Sequence, residues 1–282
     1  MDKFAIKKRK VPGDWKSERR AGGGRESKPD PDLSDPARGE GNPESFGNDA
    51  GGGAGGPGPP PPLTLLSTDV RPVWRHVAAE GLDCDYAVIF TRSEADDIFL
   101  RLEEELEYFS GDLSRVQVYG KWYQIPRKQV AHGDPRLTYK YSGVTLSPKP
   151  WLPVLERIRE RVRETTGHVF NFVLINRYQD GKDHIGEHRD DERELEQGSP
   201  IASVSFGASR DFVFRHGSAR GGGSRRRQGR LEPIKLLLEH GGLLLMNHPT
   251  NVHWYHSLPV RKRVLAPRVN LTFRKVLRLS KN

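Results

Sequence analysis

His188 and Asp190 stand two residues apart in the stretch His184-Ile-Gly-Glu-His188-Arg-Asp190-Asp191. On a strand, residues i and i+2 point to the same face, so an imidazole and a carboxylate there can grip one ion. A second imidazole would complete a two-histidine, one-carboxylate set, which occupies one face of Fe(II) and leaves the other open for substrate and O2. A His-x-Asp string is common, and a solvated turn carries it equally well. The third ligand must therefore come from elsewhere. Asn247-His-Pro-Thr-Asn-Val-His253-Trp puts turn residues ahead of a short strand, which makes His253 the expected ligand and leaves His248 and His256 open. The run Arg268-Val-Asn270-Leu-Thr272-Phe-Arg274 places Arg268, Asn270, Thr272 and Arg274 on one face. Two guanidiniums on an inward face need an anion, since burial without one is costly. A small dicarboxylate supplies it by bidentate pairing.

Holding such groups takes strands. Phe170 to Tyr178 is an apolar, β-branched run broken at Gln179-Asp-Gly181. Short runs come after it at 201–206, 211–216, 233–238, 243–246, 253–256 and 268–274, with glycines between them. This pattern predicts a mainly β fold with flanking helices, a double-stranded β-helix (jelly roll) whose core spans about 170–276. A metal site in such a roll forms at the mouth where strand ends of both sheets meet. Ahead of it, Tyr86 to Phe90 reads as a strand. Ser93-Glu-Ala-Asp96 has capping-box character, and Ala95, Ile98, Phe99, Leu102, Leu106 and Phe109 form a helical stripe that Gly111 would end. Pro148 to Gly167 carries a second helix with Trp151, Leu155, Ile158 and Val162 on one face.

Between the helices, Arg115 to Gly120 alternates as a strand up to a Tyr119-Gly120 tip. Next come Lys121-Trp-Tyr123, Arg127-Lys128 and Tyr139-Lys140-Tyr141-Ser142. Basic residues interleaved with aromatics can stack on bases while engaging phosphates; a solvated hairpin with core tyrosines has the same composition. The loop from Gly217 to Arg230 gathers Arg220, Arg225, Arg226, Arg227 and Arg230 among glycines, a composition suited to gripping phosphates.

Of 282 residues, 34% are hydrophobic, and the net charge of +9 favours a polyanionic partner. Residues 1–70 hold almost no apolar run; Gly51 to Pro62 cannot bury enough surface to offset ordering entropy, so a disordered tail is expected there. About 210 residues remain, a common size for one domain. The single cysteine, Cys84, excludes an internal disulfide and a thiolate zinc site. No apolar run reaches the length of a membrane span, and no secretory leader opens the chain, so a reducing compartment, no membrane and a monomer are expected. Lys8-Arg9-Lys10 reads as a nuclear-import signal, placing the protein in the nucleoplasm, with the nucleolus as a further compartment.

These elements, from about Trp74 to the end, resemble the AlkB family of Fe(II)/2-oxoglutarate dioxygenases, and most of all its vertebrate members that demethylate DNA. The resemblance rests on Asn176-x-Tyr178, His188-x-Asp190, His253 and Arg268-x-Asn270-x-x-x-Arg274. It implies that His188, Asp190 and His253 bind Fe(II). Asn176, Tyr178, Arg268, Asn270, Thr272 and Arg274 would line the 2-oxoglutarate pocket. Asp191 resembles the carboxylate that reads a flipped base, with Glu192 assisting; Tyr139, Lys140, Tyr141 and Ser142 resemble the wall beside that base. The segment 111–145 would be a nucleotide-recognition lid of hairpins. Tyr119 resembles the tip that fills the hole in the duplex, beside Gly120, Lys121 and Arg127. That tip is usually Phe in this branch; Tyr still supplies a flat ring. The implied reaction uses O2 as co-substrate, converts 2-oxoglutarate to succinate and removes the methyl of 1-methyladenine or 3-methylcytosine in double-stranded DNA as formaldehyde. Lys3-Phe4-Ala5-Ile6-Lys7 resembles the short motif that binds the sliding clamp PCNA. Two readings compete: an RNA or protein hydroxylase with the same cofactors, and a non-enzymatic DNA- and clamp-binding protein.

Overall fold

A computed structural model describes residues 71–118, 121–141, 144–220 and 231–278. In chain order the strands are β1 Arg75–Ala79, β2 Leu82–Val88, β3 Arg115–Val118, β4 Lys121–Gln124, β5 Lys128–Gly133, β6 Tyr139–Tyr141, β7 Val144–Leu146, β8 Phe172–Tyr178, β9 Ile185–His188, β10 Ile201–Gly207, β11 Arg210–His216, β12 Ile234–Leu238, β13 Gly242–Met246, β14 Trp254–Leu258 and β15 Arg268–Arg274. The helices are α1 Arg92–Glu105, α2 Pro153–Thr166 and the single turn α3 Thr250–His253. Among the described residues no helix is long and apolar enough to cross a membrane.

Two sheets make the roll. The larger has the order β1-β2-β13-β10-β15-β8-β5, and the smaller the order β12-β11-β14-β9. Strand alternation gives the larger sheet two chemically different faces. Val204, Leu271 and Ile175 lie side by side across β10, β15 and β8, as do Ala202, Phe273 and Val173. These pack with Ile98 and Leu102 of α1 and with Leu155, Ile158 and Val162 of α2. The opposite face carries the rows Ser205-Asn270-Asn176 and Ser203-Thr272-Leu174, turned toward the smaller sheet. Phe212, Phe214, Leu236, Trp254 and Leu258 of the smaller sheet close the inner core with Tyr178, Leu244 and Met246.

Both helices form largely as their stripes predict, with shifted ends. The capping box of α1 is Thr91 with Glu94, two residues before the expected one. That helix stops at Glu105, well short of Gly111. α2 begins at Pro153, whose missing N–H costs nothing at a first turn, and ends on Gly167 with φ +74°. Arg161 ties the two helices through Glu94 at 2.9 Å. The pairs β3–β4 and β6–β7 are hydrogen-bonded to neither main sheet, and Tyr139 and Leu146 of the second pack with Phe172 and Leu174 of β8. Residues 1–70, Tyr119, Gly120, Ser142, Arg225, Arg226, Arg227 and Arg230 lie outside the described residues, as do the side chains of Lys121, Tyr141 and Arg220.

β5, which the basic composition of its neighbourhood hides, is the edge of the larger sheet beside β8. Its His132 is 2% exposed, donates from Nδ1 to Pro150 O at 2.6 Å, and leaves Nε2 buried without a partner. Burial lowers the pKa of this imidazole below its ordinary 6.5. The unfolded chain therefore binds the proton more readily, so stability is full above about pH 6.5 and falls as pH drops toward the folded-state value. In urea titrations at about pH 7.5 and about pH 5.5, His132→Gln should lose less stability than the parent between the two conditions. Equal losses would show that other groups set the acid limb.

Candidate metal and 2-oxoglutarate site

β9 and β14 are antiparallel neighbours, and His188 lies directly opposite His256. Their ring centroids are 4.3 Å apart. Asp190, two residues past His188, comes from the turn after β9, and its Oδ1 is 3.8 Å from His188 Nε2. His188, Asp190 and His256 can offer ligand atoms that all lie within 4.8 Å of one another. The third member is thus His256, not the expected His253. Trp254, His256 and Leu258 form the inward row of β14, whereas His253 closes the α3 turn outside it. There His253 is exposed, stacks on His216 and leans against Gly81. The alternation Trp254-x-His256-x-Leu258 was the available signal, since it groups one histidine with two core residues.

The surroundings fit a cation. His188 Nδ1 donates to Gly186 O at 2.9 Å, which leaves Nε2 with its lone pair toward Asp190. Arg274 Nη2 donates to Asp190 Oδ2 at 3.0 Å, and both side chains are almost fully buried. Asp190 Oδ1 and His256 Nδ1 are buried with no hydrogen-bond partner. Burial alone would raise the Asp190 pKa, but Arg274 and the two histidines hold it at about 2. Burial, and then the neighbouring His188, depress His256 to about 3. An ionised carboxylate and two neutral imidazoles are the protonation states that divalent iron requires. A second grouping, His76, Asp83 and Asp85, sits on the exposed β1–β2 hairpin. Asn247 Nδ2 already donates to both of its carboxylates, and His76 bonds Asp85. It reads as a satisfied surface network.

A cavity beside the triad is lined by Asn176, Tyr178, Arg268, Asn270, Thr272 and Arg274, together with His188, Asp190 and His256. All six residues assigned to the 2-oxoglutarate pocket therefore converge. Their roles differ. Arg268 is 1% exposed, donates to Ser205 Oγ at 2.9 Å and leaves Nε unpartnered. Burial lowers its pKa to about 10, so an incoming carboxylate would relieve a strained charge. Asn270 spends its amide on Ser203 Oγ and Val204 O and accepts from Thr272 Oγ1. Asn176 Oδ1 accepts from Arg127 Nε and Gln129 Nε2, both at 2.8 Å. Gln129 is a pocket support that no local pattern predicts, because nothing in its own stretch marks β5 as a strand.

On the other side of Asp190 and Arg274 a larger cavity of about 620 Å³ opens between residues 189–201 and 246–252. Asp191 lines it, yet its side chain is 62% exposed and faces Arg189 at 3.4 Å. The structure does not bring Asp191 to the triad, because the chain has left β9 and Asp190 alone turns in. Glu192 takes the inward place instead. Burial, then the charge of Asp190, raises its pKa to about 7. Tyr139 is fully buried, packs on Phe172 at 4.8 Å and has Arg274 over its ring at 5.5 Å. Lys140 is exposed, and so are Trp122 and Tyr123 of β4.

The ligand assignment predicts that His256→Ala weakens Co(II) or Fe(II) binding by at least about 100-fold, while His253→Ala binds like the parent. Anaerobic calorimetric titration reads both. Metal loss in the His253 variant with retention in the His256 variant would restore His253 as the ligand.

Residues 86–274 match the family model of the 2OG-Fe(II) oxygenase superfamily. The chain is 69% identical over 206 residues to DNA oxidative demethylase ALKBH2 of Homo sapiens, a match covering 73% of this chain and 78% of that protein. It is 68% identical over 206 residues to the Mus musculus protein of the same name, covering 73% and 85%. To alpha-ketoglutarate-dependent dioxygenase alkB homolog 3 of Homo sapiens it is 41% identical over 194 residues, covering 68% and 65%. With the triad and the arginine-lined cavity in place, the chain belongs to the AlkB family within the 2OG-Fe(II) oxygenase superfamily, and its cofactors are Fe(II) and 2-oxoglutarate.

Proposed function

We propose that the enzyme repairs DNA by oxidative demethylation of N-alkylated bases, with 1-methyladenine and 3-methylcytosine in double-stranded DNA as its substrates. One observation carries the reading: a buried His188-Asp190-His256 triad adjoins a cavity with two buried arginines, in a chain that is 69% identical over 206 residues to a DNA oxidative demethylase. Fe(II) and 2-oxoglutarate together supply the activation of O2 that hydroxylates an N-methyl carbon, with succinate and CO2 formed from the keto acid. The hydroxymethyl group then leaves the base as formaldehyde.

The protein's own part is positioning and exclusion. His188, Asp190 and His256 would hold the metal, with Asp190 kept ionised by Arg274. Arg268, lacking a carboxylate partner, would take the far carboxylate of 2-oxoglutarate. Leu174, Phe212 and Leu258 keep water from that cavity. Tyr139 and Glu192 stand beside the triad, where Glu192 can accept from the exocyclic amine of an extruded base. Such a base must leave the duplex, and a methylated one pairs poorly, so its extrusion costs less. The exposed Trp122 and Tyr123, together with the net charge of +9, support a nucleic-acid substrate. The Lys3–Lys7 motif would tether the enzyme to PCNA in the nucleus, with Lys8-Arg9-Lys10 directing import. The catalytic unit would act as a monomer.

Mass spectrometry of a 1-methyladenine duplex incubated with enzyme, Fe(II), 2-oxoglutarate and O2 should show a loss of one methylene together with equimolar succinate. No conversion of methylated DNA, alongside conversion of methylated RNA or peptide, would overturn the substrate assignment. Tyr119→Ala should lose about tenfold or more activity on duplex and far less on single strands. Phe4→Ala should abolish clamp pull-down and leave turnover on free oligonucleotides unchanged.

A further inference from the structure

We infer that Arg210 is a positioning residue for the 2-oxoglutarate pocket: it locks from behind the two turns that set Tyr178 against Arg268. The inference rests on the assignment of that pocket and concerns a residue that does not line it.

Arg210 opens β11 and is 1% exposed, yet among the described residues its hydrogen bonds go to carbonyls and to no carboxylate. A buried guanidinium without an anionic partner is expensive and persists only where its donors are used. Nη1 donates to Asp180 O at 3.0 Å, and Nη2 donates to Asp183 O and Pro259 O, each at 2.9 Å. The three carbonyls belong to two connections, β8 to β9 and β14 to β15. Those connections also bond each other: Gly181 N donates to Val264 O and Arg261 N to Gly181 O, both at 2.7 Å. A Cβ on Gly181 would lie 1.8 Å from Arg261 O, so the turns meet at a point where only glycine fits. Arg261 Nε returns to Asp211 Oδ2 at 2.6 Å, next to Arg210 in the chain.

The pocket lies directly inside this junction. Tyr178 ends β8, Arg268 begins β15, and the two are paired across the sheet. The Tyr178 ring has the Arg268 guanidinium at 5.3 Å and that of Arg210 at 5.9 Å. Of these three side chains, Tyr178 and Arg268 line the cavity and Arg210 stands behind them. Arg210 thus fixes the ring and both turn ends, and Arg268 is presented at a defined distance from the triad. A ligand gripped at two ends loses affinity when one grip can drift.

The test is anaerobic titration of 2-oxoglutarate into Fe(II)-loaded protein, read by the visible absorption that the complex develops. Arg210→Met should weaken 2-oxoglutarate binding about tenfold or more and leave Fe(II) affinity without 2-oxoglutarate within about twofold of the parent. Arg210→Lys, with three donors for the same carbonyls, should recover part of that loss. Ile158→Ala in the helix layer controls for general destabilisation and should bind 2-oxoglutarate normally. Parent-like binding by Arg210→Met, or a loss no larger than that of Ile158→Ala, would overturn the proposal. If Arg210→Met does not fold, the folded Lys variant decides: parent-like affinity refutes, and intermediate affinity supports. Failure of the parent itself to bind 2-oxoglutarate would instead sink the pocket assignment.

Discussion

The Asp190–Arg274 pair ties the metal triad to the larger sheet. Both side chains are almost completely buried, so neither charge could exist there alone. Their contact joins the turn after β9, on one sheet, to the last residue of β15, on the other. It also divides the carboxylate: Oδ2 is committed to the guanidinium, and Oδ1 is left toward the histidines. Removing Arg274 would therefore strip the carboxylate of its main stabilising charge, and not merely delete a cofactor contact. The remaining polar rows of β8, β10 and β15 extend from this pair along the inner face.

Much of this was legible in the residues. Strict alternation in Arg268-Val-Asn-Leu-Thr-Phe-Arg274 fixed which four side chains face inward: Arg268, Asn270, Thr272 and Arg274 line the cavity, and Val269, Leu271 and Phe273 pack in the helix-side core. The His188-x-Asp190 pair shares a face although the strand ends between them, because the turn keeps the parity. His253 failed for a local reason. Its short stretch reads as a strand, but Thr250 to His253 coils into one helical turn and shifts the parity of β14 after it. The register between β9 and β14, which pairs His188 with His256, depends on two segments 68 positions apart and has no local signature. Arg210 and Gln129 were invisible for a similar cause: each acts on groups brought near only by the closed roll.

The two sheets divide their tasks by chemistry. The larger supplies the polar inner rows and rests on the helix layer through Val204, Leu271 and Ile175. The smaller supplies two histidine ligands and an apolar lining of Phe212 and Leu258. Phe212 also stacks on His256 at 5.2 Å, so the same aromatic dries the cavity and restrains a ligand ring. A metal centre between two such sheets has charge on one side and hydrocarbon on the other. That asymmetry favours an anionic cofactor on the β15 side.

The bond from His188 Nδ1 to the Gly186 carbonyl spans only two residues of the same strand. Its geometry belongs to β9 itself and owes nothing to the β3–β4 hairpin, which is hydrogen-bonded to neither main sheet. Displacement of the β3–β4 hairpin by a bulky polymer would leave the tautomer and tilt of this imidazole untouched. Coordination is thereby insulated at His188, whereas Asp190 stays coupled to β6 through Arg274, whose guanidinium lies over the Tyr139 ring.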